Sequence, residues 1–129
     1  MNSIQLSHFL ADCLADKKAT DITLLDVRDL VGYTDVFVVC TGRSDRLVKA
    51  LADHVERQAR TELRLHPIGV EGVERGLWAL LDFGDVVVHI FREHERVFYD
   101  LEGLWSDAPR LPVPEVEVES RSATLFSPP

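Results

Sequence analysis

The chain has 129 residues, 46% apolar and 28% charged, which fits one globular domain with a core of its own. Its 14 basic and 22 acidic residues leave a formal net charge of -8. Taken as a whole it lacks the basic footprint that displaces counterions from nucleic acid, so sequence-specific nucleic-acid binding is not expected and a positively charged protein partner suits it better. No apolar run reaches the length of a membrane span, and the N-terminus has the marks of neither a signal peptide nor an Arg-rich transit segment, so a cytoplasmic location is expected. Cys13 and Cys40 each sit in apolar surroundings, with no CxxC pairing, and are expected to be buried and reduced.

Leu6, Phe9, Leu10, Cys13 and Leu14 recur at helical spacing, and Asn2 with Gln5 forms a capping-box pattern, so a helix is predicted over about residues 3–17. Ile22 to Val27 reads as a short strand, followed by a turn at Gly32 and Tyr33. Val36 to Cys40 is a continuous, β-branched apolar run, the pattern of a strand buried on both faces. Thr41 to Asp45 breaks it. Ser44 can cap a following helix and Asp45 suits the helix's positive end; Leu47, Leu51, Val55 and Ala59 carry that helix to about Leu63. An extended segment ending at Val70 follows, and strand, helix, strand predicts a crossover with parallel pairing of its two strands. Leu77 to Phe91 reads as a hairpin about Asp82-Phe83-Gly84-Asp85, and a last short helix is expected within His94 to Trp105. From residue 108 onward proline, serine and glutamate dominate without periodicity, which predicts a disordered tail after a folded domain of residues 1–107.

The hairpin is the informative part. A loop centred on Phe83 and Gly84 pairs Leu81 with Val86, Ala79 with Val88 and Leu77 with Ile90, all apolar, and this marks the core face. The other face then holds Trp78, Leu80, Asp82, Asp85, Val87 and His89. A large aromatic beside an imidazole and carboxylates suits a recognition surface; the same face covered by helices would make Trp78 plain core, and pattern alone leaves both readings open. Tyr99 and Trp105, soon after the hairpin, extend the candidate patch.

Catalytic chemistry finds little support. Thr41-Gly42-Arg43-Ser44 before a helix could hold a phosphate, but it matches neither a Walker loop nor GxGxxG and reads more simply as a strand-to-helix turn. A nucleotidyltransferase would need closely spaced carboxylates on a strand, and Asp85-Val86-Val87-Val88-His89 supplies one acid with none two residues later. The histidines show no metal-ligand spacing and no nucleophile, base and acid assemble locally, so neither a metal nor another cofactor is expected.

Four segments resemble one known family. Asp35-Val36-Phe37-Val38-Val39-Cys40-Thr41-Gly42-Arg43-Ser44-Asp45-Arg46, Gly69-Val70-Glu71-Gly72, Trp78 through Phe91, and Phe98-Tyr99-Asp100-Leu101-Glu102-Gly103-Leu104-Trp105 are similar, in order and spacing, to the motifs of the ribosomal silencing factors, also called the Iojap-like family. The resemblance runs from about Asp21 to Asp107. It implies a single α/β domain with a mixed sheet of about five strands flanked by helices, like the nucleotidyltransferase fold without its catalytic acids. It implies a non-enzymatic translational repressor, active notably when nutrients are scarce. Such a repressor binds the large ribosomal subunit through the ribosomal protein conventionally numbered fourteen and blocks subunit joining; homodimers are also implied. Gly103 departs from the family, many members having Lys or Arg there. The competing readings are a nucleotidyltransferase-like enzyme using Thr41 to Asp45 and a cytoplasmic adaptor for some other protein.

Overall fold

The structure, a computed structural model, describes residues 1–113. Helix α1 (Ser3–Asp16) opens with the expected capping box: the Asn2 side chain accepts from the Gln5 backbone N–H, and the Gln5 side chain accepts from the Asn2 N–H. Strands β1 (Thr20–Asp26) and β2 (Val36–Thr41) follow. Helix α2 (Asp45–Leu63) starts at Ser44, whose hydroxyl accepts from the Leu47 N–H at 3.0 Å. Then come β3 (Gly69–Glu71), β4 (Trp78–Asp82), β5 (Val86–Phe91), two short helices α3 (Glu93–Tyr99) and α4 (Leu101–Leu104), and β6 (Arg110–Leu111).

The strands form one mixed sheet in the order β3-β4-β5-β2-β1-β6. Only β2 and β5 run parallel; all other neighbours are antiparallel. Both central strands are buried along their whole length; the unbroken apolar run of β2 predicts this, whereas Val87 and His89 of β5 were expected on an open face. Helices α1 and α2 cover one face. Their Leu10, Leu14, Leu51 and Val55 pack with Val36, Val38, Ala79, Leu81, Val86, Val88 and Ile90. The other face holds a smaller cluster of Leu25, Val27, Phe37, Val39, Val87, Phe91 and Ala108, with Trp78, Leu80, Leu101 and Trp105 at its margin. Cys13 and Cys40 are buried free thiols, and burial pushes both up to about 12.

The sheet, expected at about five strands, has six. Three expectations are corrected. The segment ending at Val70 is not the parallel partner of β2. It folds back as β3 onto β4, and the parallel partner is β5, so the crossover passes through the helix and a hairpin. The hairpin loop is Gly84–Asp85: the Phe83 N–H donates to the Val86 carbonyl at 2.9 Å, and Gly84 takes a φ of +88°, open to glycine without strain. Trp78 therefore faces Phe91, and Leu80 faces His89. A partner shift of two residues leaves every side chain on its expected face, whereas a slip of one would have inverted them. Leu77, however, lies outside the core cluster; it precedes the strand and its carbonyl accepts from the Arg92 N–H.

The third correction concerns the boundary at residue 107. Ala108 is buried, Pro109 accepts from the Asp26 N–H at 2.8 Å, β6 pairs with β1, and Leu111 and Val113 pack against the main core. The rest of the expected tail, from 114 on, lies outside the described residues. Truncation after Ala108, harmless if the fold ended at 107, is now expected to lower unfolding free energy by about 1–3 kcal/mol. It removes apolar cover and leaves the β1 edge unpaired. Urea unfolding of the truncated and full chains measures this, and equal midpoints would show that β6 contributes nothing.

Candidate functional site

Trp78 sits at the start of β4, half-buried, where the second face of the sheet meets the surface. Its ring stacks on Phe91 with centroids 4.8 Å apart, and Tyr99 of α3 packs against it, also at 4.8 Å. The indole Nε1–H donates to His89 Nδ1 at 3.1 Å. His89 lies beneath, 4% exposed and edge-on to Phe37. Because Nδ1 accepts, the imidazole proton resides on Nε2, which meets no partner among the described residues. Burial pushes the His89 pKa down to about 4, so the ring is neutral near pH 7 and serves to orient the tryptophan.

The two short helices build the exposed part. Four apolar side chains stand in solvent on them: Val97, Phe98 (71% exposed), Tyr99 (51%) and Leu104. Phe98 meets Tyr99 edge-to-face at 5.0 Å, extending the row that starts at Trp78. Asp100 ends α3 in the left-handed region (φ 46°), and its carboxylate accepts from the Gly103 N–H at 3.1 Å, which starts α4. A Cβ at 103 would fall 2.0 Å from Asp100 Oδ2, so a larger residue there requires that carboxylate to swing aside. Beside the aromatic row opens a cleft of about 340 Å³ lined by Arg75, Leu77, Trp78, His94, Phe98 and Tyr99.

The structure brings some of the expected residues together and separates others. Trp78, Leu80 and Tyr99 share one open surface. Val87 and His89 are on the same face but buried, so they support that surface from below. Trp105 is half-buried against the second cluster. Asp82 accepts from the Gly84 N–H at 2.8 Å and shapes the turn. Asp85 is exposed, but beside Met1, Leu63, Leu65 and Phe83, at the opposite end of β4 from Trp78. The carboxylates therefore do not rim the aromatic patch. Val97, Phe98 and Leu104 were missed by the sequence reading. Phe98 and Leu104 lie in the last family-like motif, and Val97-Phe98-Tyr99 is an apolar run after the charged stretch Glu93–Arg96, but the helices are too short to show a stripe.

Thr41 to Asp45 forms a tight strand-to-helix turn in which Gly42 packs directly against Val48 and its N–H donates to the Phe91 carbonyl. Among the described residues no three His, Cys, Asp or Glu side chains gather in a way that would hold a metal ion. None of the helices described is long and apolar enough to cross a membrane.

Fold and surface together define a small mixed-sheet α/β domain whose distinguishing surface is an exposed aromatic shelf. The family model of the ribosomal silencing factor during starvation matches residues 1–126. The ribosomal silencing factor of Bacillus subtilis is 40% identical over 109 residues, covering 84% of this chain and 92% of that protein. A crystal structure of a Chromobacterium violaceum protein superposes with a TM-score of 0.79 at 40% identity, covering 82% of this chain and 88% of that one. A mouse protein named for mitochondrial assembly of the ribosomal large subunit is 32% identical over 75% of this chain and 43% of its own length. The chain belongs to the ribosomal silencing factor family.

Proposed function

We propose that this chain represses translation by binding the large ribosomal subunit through its ribosomal protein fourteen and standing where the small subunit would dock. The observation that carries the reading is the shelf of Trp78, Phe98 and Tyr99. Exposed aromatics in a contiguous row are the side chains that anchor protein interfaces, and among the described residues no other exposed aromatic row is found. Family membership supports the ribosome as the target, and the name of the mouse relative points to the large subunit. The action is that of a steric plug without turnover, in the compartment where subunits join and most useful when nutrients are scarce. A second copy is the competing occupant of the shelf, and light scattering at working concentration distinguishes it.

The protein is expected to cosediment with purified large subunits and not with small ones. Excess protein should reduce formation of whole ribosomes with one-to-one stoichiometry. Equal binding to both subunits would refute the reading. Blockage of many ribosomes by a trace amount would require a catalytic mechanism instead.

A further inference from the structure

Helix α3 lacks the usual means of staying in place. It has seven residues, its N-cap Arg92 makes no side-chain cap bond, and none of its residues is fully buried. A helix this short does not hold itself in water, because too few hydrogen bonds follow the costly first turn. Beside the contact of Tyr99 with Trp78, one residue supplies most of what is missing. Arg96 points inward, its side chain only 11% exposed, and all five of its N–H donors find acceptors. Nε and Nη2 bond both carboxylate oxygens of Glu102 in α4 at 2.9 and 3.0 Å. Nη1 reaches the Asp21 carbonyl on β1 at 2.7 Å and the Thr41 hydroxyl on β2 at 2.8 Å, and Nη2 also reaches the Thr23 hydroxyl at 3.3 Å. One planar fork thus ties both short helices to two strands. A flexible ammonium cannot match that fixed geometry. Since successive residues turn by about 100° around a helix, fixing Arg96 inward also fixes the directions of Val97, Phe98 and Tyr99.

We propose that Arg96 is the positioning residue of the docking surface, holding α3 and α4 so that the aromatic shelf is assembled before a partner arrives. This rests on the large-subunit reading given above. A surface that is competent only part of the time binds more weakly in proportion to that fraction. Arg96 therefore sets affinity without touching the partner, separately from its contribution to overall stability.

The test compares the full chain with Arg96→Gln and Arg96→Lys by amide hydrogen exchange over residues 93–105 and by binding to purified large subunits. Both are done at a temperature where circular dichroism shows each variant fully folded. Both variants are expected to lose exchange protection across α3 and α4 while keeping it in β2 and β5, and to bind at least about tenfold more weakly. Lys fails to rescue binding although it keeps the charge. Should Arg96→Gln not fold, the double variant Thr23→Val with Thr41→Val removes two anchors in place of the guanidinium and should show the same pattern in milder form. Unchanged protection, or lost protection with unchanged binding, overturns the proposal. Failure of the unaltered chain to bind large subunits would instead overturn the functional reading, since the exchange comparison requires no partner.

Discussion

Replacing Tyr99 by alanine is expected to weaken large-subunit binding about thirtyfold, the equivalent of about 2 kcal/mol for a truncated aromatic anchor, with little change in thermal stability. Tyr99 suits this test because it is half in solvent on a helix with no buried residue. Trp78 does not. Its ring covers Phe91 and bonds His89, so Trp78→Ala should lower the melting temperature as well as the affinity and confound the two. Phe98→Ala should act like Tyr99→Ala, and the pair should couple, because the rings touch. The expected signature is faster dissociation at nearly constant association rate. A folded Tyr99→Ala, Phe98→Ala double variant that binds large subunits normally would place the recognition surface elsewhere.

Acid should destabilise the fold well before the carboxylates titrate, and His89 is the cause. Its pKa is about 4 in the folded chain, while the unfolded chain has the ordinary value of 6.5. Between those values the unfolded state takes up a proton that the folded state does not, so stability is lost as pH falls from 6.5 toward 4. From pH 7 to 4.5 this amounts to about 2 kcal/mol. His54, also depressed by burial, acts in the same direction. Glu102 and Asp26, held low by Arg96 and Arg28, add their losses only further into acid. Urea unfolding at the two pH values, repeated with His89→Phe, isolates the histidine: the variant should show a much shallower decline. Equal declines would show that His89 is not the responsible group.

Strand β2 could be read directly, because Val36 to Cys40 is too apolar to lie anywhere but in the middle of a sheet; β5 could not, because His89 interrupts its apolar run and Val87 and His89 were expected on an open face. The faces of the hairpin were legible even though its register was off by two: alternation fixes side, and only the loop fixes pairing. What could not be read was long-range. Nothing local in Gly69-Val70-Glu71 shows whether it runs parallel to β2 or returns on β4. That choice depends on the reversal through Gly72 and Gly76, both at positive φ, and on the close packing of Gly72 against the Trp78 carbonyl. The site was half legible. Trp78 announced itself by its polar neighbours, but those neighbours proved to be a buried orienting histidine and two turn carboxylates. Phe98 and Leu104 were passed over because apolar residues on a short helix carry no periodicity against which exposure can be judged.

The parallel register of β2 and β5 has a consequence for how the chain reaches its fold. Val36 must find Val86, so the central contact closes a long loop that holds α2, β3 and β4. Pairings of such high sequence separation form slowly, since a long loop's entropy is lost before the contact repays it. Until they meet, two strongly β-prone segments, Val36–Thr41 and Val86–Phe91, are unprotected, with His89 the only side chain between them that is charged in mild acid. Such segments are the ones that pair between molecules in a crowded refolding mixture. Recovery of native protein after denaturation should therefore fall steeply with chain concentration, and most steeply where the final edge strand has been removed.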